Sequence, residues 1–304
     1  MTGIVIPSLG GPHLRSCLAA VVALDPPPER TVVVVSGGAS APERPNSIEM
    51  LTSENRLGFA AAVNAGIAAL GNDVEGIALL NDDAVPASGW LGPLEAALDA
   101  DSSLAAVQGT VTDALGTAID GRGITLDDGA LPVQVDRGSS PAPEPAQPRP
   151  VIAVSGTASL YRIRALRESA LADGAILDPG FGSYHEDLDL GLRMRRLGWR
   201  AAWVPGAWAS HEGSASGHGL SWRHPWWVLT NRWRALAGNL TAAALFTALP
   251  ALLRGELRAV RTLARTNPRV MPTAAAALAC LPWIVIRSLG RPSPGPRLTA
   301  LPES

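Results

Sequence analysis

The chain has 304 residues, is 47 % hydrophobic and 17 % charged, and carries a formal net charge of −2. That length and composition exclude a disordered chain and allow one large α/β domain with an appendage, or two domains. Every one of the 25 basic residues is Arg, so a Lys nucleophile or Schiff base is excluded. Cys17 and Cys280 are the only cysteines; they form neither a metal spacing nor a disulfide framework, and a reducing compartment is expected. The net charge conceals an asymmetry: residues 1–219 hold 14 Arg against 25 acids, whereas 220–304 hold 11 Arg against only Glu256 and Glu303. A basic tail of this kind suits an anionic surface.

In chain order, Ile4-Val5-Ile6 opens without a charged region ahead of a long apolar one, so no cleavable leader is expected. This run and Thr31–Val35 predict buried strands, with Leu14, Leu18, Val21 and Val22 at helical spacing between them. Residues 57–70 predict an Ala-rich helix, 76–80 a strand, 90–99 a helix and 104–108 a strand. This alternation predicts a mostly parallel sheet with helices on both faces, with ligands beyond the carboxyl ends of its strands. The strand 76–80 stops abruptly at Asn81-Asp82-Asp83. An exposed Asp-rich turn would explain that ending; so would carboxylates held beside a cation and substrate.

The Pro-rich stretch 138–150 predicts an exposed, mobile loop that cannot pair as a central strand. Val151–Val154 resumes strand character and ends in Ser155-Gly156-Thr157. Acids at the start, Arg193, Arg195 and Arg196 near the end, and Gly198 beyond predict a helix over 186–197. Glu186 and Asp187 then lie at a helix N-terminus, where complementing the helix dipole would account for them as well as chemistry would.

In the tail, Leu253, Leu257, Val260 and Ala264 recur at helical spacing, and Arg254, Arg258, Arg261 and Arg265 follow one position later. Bracketed by Pro250 and Pro268, this predicts an interfacial helix, or one packed on the main domain with a solvated Arg face. Residues 235–253 and 273–286 are apolar; the first contains Asn239 and Pro250 and the second is short for a span, so surface-embedded or core helices are expected, a true span being the lesser alternative. The division expected is 1–222 and a helical, membrane-associating region 223–304.

Ordered motifs then point to a family. Glu54-Asn55-Arg56-Leu57-Gly58-Phe59-Ala60 with Asn64-Ala65-Gly66-Ile67, Asn81-Asp82-Asp83, Trp90-Leu91, Ser155-Gly156-Thr157-Ala158, Glu186-Asp187-Leu188-Asp189-Leu190 and His211-Glu212-Gly213-Ser214 resemble the family 2 glycosyltransferases over roughly residues 3–240. The resemblance is to the branch of rhamnosyl- and galactofuranosyl-transferase-like proteins of bacterial envelope synthesis. It implies a GT-A fold and inverting transfer of a sugar from a nucleotide-diphosphate sugar to an acceptor hydroxyl, commonly on a lipid-linked glycan.

The resemblance also implies roles. Asp83 and His211 would hold a divalent cation, Mn2+ or Mg2+, which stabilises a diphosphate leaving group. Asp187 would be the base, with Glu186 and Asp189 orienting it or the acceptor. Pro7, Ser36, Asn55, Gly58, Phe59, Asn64, Asn81, Asp82 and Gly156 would line the donor site. Ser36 stands where the family usually has an Asp contacting the nucleotide base, and Ile6-Pro7-Ser8 replaces a more usual Thr or Tyr segment. The implied partners are a nucleotide-sugar donor, a glycan acceptor and an anionic membrane surface, with no nucleic acid; the implied location is peripheral, on the inner face of the plasma membrane. A nucleotidyltransferase would want a Gly-rich basic phosphate loop, of which residues 8–15 offer a faint version. A Rossmann dehydrogenase is not expected, because no Gly-x-Gly-x-x-Gly follows the first strand. A non-catalytic sugar-nucleotide-binding scaffold is favoured by Ser36 and opposed by Asp83, Asp187 and His211.

Overall fold

A computed structural model describes residues 1–38, 45, 47–71, 73–213 and 223–303. Ser214 of the His211 motif and residue 222, the end of the expected first domain, lie outside the described residues.

The centre is a sheet of β1 (Thr2–Ser8), β2 (Arg30–Ser36), β3 (Ile48–Ser53), β4 (Gly76–Leu80), β6 (Leu104–Asp113), β10 (Arg149–Val151), β11 (Ala158–Arg162) and β12 (Arg200–His211). Their order is β10-β12-β6-β11-β4-β1-β2-β3, with β5 (Ala84–Pro86) joined to β12 and β7 (Ile119–Gly121) joined to β6. β8 (Ile124–Leu126) and β9 (Pro132–Gln134) pair with each other in a separate antiparallel ribbon. β1, β2, β3 and β4 run parallel; β11 is antiparallel to both β4 and β6, so β6 and β12 point the same way as the first four. This is the mixed, mostly parallel sheet expected.

The continuous apolar runs follow from burial of both faces. Ile4 and Ile6 pack on one side with Leu14, Leu18 and Val21 of α1 (Pro12–Val22) and Leu94 and Leu98 of α3 (Leu91–Ala100). Val5, Val32 and Val34 face the other side. They pack with Val63 and Leu70 of α2 (Phe59–Leu70), Leu166 of α4 (Ile163–Glu168), and Leu190 and Met194 of α5 (Glu186–Arg196). Gly66 of the Asn64-Ala65-Gly66 motif is a close-approach residue: a Cβ there would sit 2.3 Å from Val5 Cγ1. Gly66→Ala is expected to destabilise by about 1–3 kcal/mol through overpacking, visible in a denaturant melt.

Two boundaries differ from the expected ones. The strand beginning at Val151 ends there, and Ser155-Gly156-Thr157 forms a turn that leads into β11. Ile152 and Ala153 leave the main sheet to hydrogen-bond with Ile124. Residues 149–150, in the Pro-rich stretch, pair with β12 at the sheet's edge, where proline removes no inner hydrogen bond.

The tail forms α6 (Arg223–Asn239), α7 (Ala242–Thr266) and α8 (Met271–Leu289). The apolar stretch 235–253 is broken at Leu240–Thr241, where Thr241 Oγ1 caps α7 by accepting from Ala244 N. Pro250 does not open a helix; α7 runs through it. Leu245 and Ala248 before it and Leu252 after it share one buried stripe, and this packing carries the helix across a residue that lacks an N–H. The same cluster joins Phe181, Leu188 and Leu192 around α5 to Trp233, Leu236 and Leu240, so α6 and α7 complete a core with the sheet-bearing part of the chain. Buried Arg232 of α6 pairs with Glu256 of α7, which also accepts from Trp233 Nε1 at 2.7 Å.

Candidate active site

The carboxyl ends of β1, β2 and β4 lie side by side, and the site begins there. Ser8 Oγ donates to Asp82 and accepts from Gly10 N. Burial pushes the Asp82 carboxyl up, the Ser8 bond pulls it down, and neighbouring Asp83 pushes it up again. Pro7 is buried one residue earlier in β1. Asn81 is fixed by its backbone, its N–H donating to Thr157 O at 2.8 Å.

Asp83 and His211 meet because β5 pairs with the end of β12, setting His211 opposite Ala84. His211 Nε2 lies 3.1 Å from Asp83 Oδ1, an ion-pair contact in which the buried ring nitrogen has no aligned hydrogen-bond partner. Nδ1 lies 2.9 Å from Asp120 Oδ2. Burial opposes charge on the imidazole, but the Asp120 hydrogen bond and the close carboxylates of Asp83 and Asp120 outweigh it and push its pKa up to about 9. Two carboxylates thus demand positive charge at Nε2, which a proton or a metal ion can supply.

Among the described residues no group of three His, Cys, Asp or Glu converges on one point. The protein's share of a metal shell here would be two groups, Asp83 and His211, leaving positions for diphosphate oxygens and water. The orphaned Nε2 beside a carboxylate fits that use, and Asp120 on the other ring nitrogen is the outer partner that ligating histidines commonly have. Asp120, far from His211 in sequence and in no motif, could not be found from spacing. Asp120→Asn is expected to weaken Mn2+ affinity about 10–100-fold, read by titration calorimetry.

The second half of the site is the start of α5. Asp187 is half-buried at the helix N-terminus; its carboxylate accepts from its successor's N–H, Leu188 N, at 2.8 Å, and from Gly156 N. Burial pushes it above the ordinary carboxylate range, and these hydrogen bonds partly restrain the rise. Glu186 is pushed up further, by burial and then by the charge of Asp187; its Oε2 is buried without a hydrogen bond. The 155–157 turn joins the halves: Thr157 O holds Asn81, and Gly156 N holds Asp187. A Cβ at Gly156 would lie 2.8 Å from Phe59 Cζ, so a larger residue there would require the ring to move. Two motifs far apart in sequence meet in that contact.

Tyr184 and His185, just before Glu186, both adopt left-handed backbone conformations, with φ of 71° and 69°. Non-glycine residues held there cost of order 1–3 kcal/mol each and need support from their surroundings. Buried Asn231 of α6 provides it: its Nδ2 group donates to the carbonyls of Phe181, Ser183 and Tyr184 at 2.9–3.0 Å. Asn231→Leu would leave these carbonyls without that donor. We expect turnover to fall about 10–100-fold through misplacement of Asp187, with nucleotide affinity unchanged in a binding titration.

Other predicted residues occupy different settings. Asp189 is fully buried on the opposite side of α5 from Asp187, bonded to Arg193 Nε at 2.9 Å, Arg291 at 3.0–3.1 Å and Asn239 Nδ2 at 2.9 Å. Residues two apart on a helix do not share a face, so Asp189 cannot orient Asp187 directly. Asn64 clips the chain at Leu177 with both ends of its amide, at 2.7 and 3.0 Å. Ser36 is buried, its Oγ accepting from Leu57 N at 3.2 Å, which ties β2 to the 53–58 loop. Asn55 is exposed in that loop, and its carbonyl accepts from Gly37 N. Gly58 is the N-cap of α2.

A family model described as "Glycosyltransferase like family 2" matches residues 2–234. No curated protein matches the chain. Among solved structures, the chain is similar to a mannosyltransferase, PcManGT from Pyrobaculum calidifontis in complex with GDP-Man and Mn2+. The TM-score is 0.54 and the identity 18 %, over 93 % of this chain and 75 % of that one. It is also similar to GalNAc-T7 with UDP, GalNAc and Mn2+, with TM-score 0.54 and 16 % identity over 79 % of this chain. This match spans 48 % of the GalNAc-T7 chain, about half its length. At these identities the likeness is one of fold, the GT-A arrangement of strands. The family model covers well over half of the 304 residues, and the chain belongs to the glycosyltransferase-like family 2.

Proposed function

We propose that this protein transfers a sugar, with inversion, from a nucleotide-diphosphate sugar to an acceptor hydroxyl. The observation that carries the reading is the 155–157 turn, which couples the Asn81–Asp83 strand end to Asp187. A carboxylate acceptor of protons and a carboxylate–imidazole pair suited to a cation are thereby held in one frame.

In the proposed step the acceptor oxygen bonds to the anomeric carbon as the bond from that carbon to the diphosphate oxygen breaks. The electron pair leaves with the nucleoside diphosphate. Asp187 takes the hydroxyl proton, which requires it to be ionised. Asp83 and His211 would hold Mn2+ or Mg2+, whose charge offsets that of the departing diphosphate. Glu186, its pKa raised by burial, keeps a proton and so donates rather than competes for one. Asp82, anchored by Ser8, lies on the nucleoside side. Among acceptors we favour a lipid-linked glycan of the bacterial envelope, reached from the inner face of the plasma membrane. Among family branches we favour the rhamnosyl- and galactofuranosyl-transferase-like one, on the ordered motifs between Asn55 and His211.

The test is turnover of UDP-, dTDP- and GDP-sugars by the whole chain with Mn2+, with the product's anomeric configuration read by NMR. Nucleoside diphosphate release that EDTA abolishes and Mn2+ restores, with an inverted product, is expected. No release from any donor, or retained configuration, overturns the reading.

A further inference from the structure

α7 and α8 turn an apolar surface outward. Phe246, Leu249, Leu253 and Leu257 of α7, at spacings of three, four and four, form one stripe, and Phe246 is 79 % exposed. On α8, Trp283 and Ile286 are 61 % and 70 % exposed. Each of these large side chains keeps more than a third of its surface in solvent, and exposed apolar stripes of this kind mark interaction surfaces.

The charge around the patch says what it fits. Residues 242–290 contain six Arg and a single acid, Glu256. Glu256 is buried against Arg232 and Trp233, so the helices show only positive charge outward. The Arg stripe is divided by the fold. Arg258 pairs with Asp127 and Asp128, and Arg254 donates to Asp128 O, fastening α7 to that loop. Arg261, Arg265 and Arg269 stay exposed. Arg287 lies over the Trp283 ring at 5.1 Å, which pairs a cation with an amphipathic aromatic as membrane interfaces do.

We infer that the exposed face of α7 and α8 docks on an anionic lipid bilayer, with Phe246 and Trp283 in the headgroup boundary and Arg261, Arg265, Arg269 and Arg287 on lipid phosphates. Pro268–Leu289 is the one stretch among the described residues long and apolar enough to cross a membrane. Ala274 and Ala277 on one side of it are fully buried with Leu229 of α6, which holds it along the protein and leaves its other side for the bilayer surface. The inference goes beyond sugar transfer and is independent of the donor, since it concerns where the enzyme works.

The test is flotation of the whole chain with phosphatidylcholine vesicles, with and without phosphatidylglycerol, at low and high salt and without sugar nucleotide. Salt-sensitive binding to the anionic vesicles alone is expected. Replacing Arg261, Arg265 and Arg269 by Gln should weaken it roughly a hundredfold, about fivefold per Arg. Phe246→Ser with Trp283→Ser should weaken it at least about tenfold, from the apolar area withdrawn. All substituted side chains are exposed, and unchanged thermal melts would show that the fold is kept. Three results overturn the inference: equal binding to neutral vesicles, no effect of either set of substitutions, or a dimer in light scattering that Phe246→Ser with Trp283→Ser converts to monomer. Protein that stays with the vesicles through a carbonate wash would indicate a span and overturn it too.

Discussion

Asp187→Asn is expected to lower turnover about 10²–10⁴-fold while leaving nucleoside diphosphate affinity near that of the unmodified enzyme. Asn keeps the oxygen that accepts from Leu188 N and Gly156 N, so the turn and the helix start stay in place. It cannot take a proton. Substantial turnover by this variant would remove Asp187 from the role of base.

The pH dependence gives a second reading of the same group. Burial favours the neutral acid, so the base is lost as pH falls and the rate should rise with pH through a midpoint above the ordinary Asp value near 4. Stability should move the other way. A carboxyl whose folded pKa lies above its unfolded pKa contributes stability at low pH that is lost as pH rises through the folded value. Glu186 and Asp187 both have raised pKa values, so melting temperature should decline as the pair ionises. Glu186→Gln should flatten that decline; a melting curve as steep as that of the unmodified protein would contradict it.

Asp189→Leu is expected to cost about 3–5 kcal/mol, because it leaves Arg193, which is fully buried, without its carboxylate. Arg291 would lose the same partner, and with it part of the hold of the chain's last segment on α5. A domain of this kind has only about 5–15 kcal/mol to lose, so the effect should be plain in urea melts. Adding Arg193→Met should recover much of the loss, since the unpaired charge is then gone. The folded fraction should keep its turnover. If Asp189→Asn melted normally but turned over no substrate, Asp189 would belong to the chemistry after all.

Helical geometry separates the two carboxylates, since positions 187 and 189 on a helix point to different sides. The motif presents Glu186, Asp187 and Asp189 as one acidic group, and the helix divides them between a site and a buried ion network. Asn64 is a similar case. As a motif residue it reads as a ligand contact, yet its amide is occupied by the backbone of Leu177.

The local features were legible in the residues themselves. Apolar runs marked β1, β2 and β4, helical spacing marked α1 and α2, and acids before three Arg marked α5, because each preference acts within a few residues. The sequence by itself also determined the charge asymmetry between residues 1–219 and 220–304. Tertiary structure alone decided which polar groups face one another: His211 with Asp83 and Asp120 through β5 and β7, Asn231 beneath the Tyr184–His185 turn, and Arg254 and Arg258 tied to the loop at Asp127 and Asp128 while Arg261 and Arg265 remain exposed. These pairings depend on strand order and helix packing between residues tens to more than a hundred positions apart, distances over which local preference carries no information.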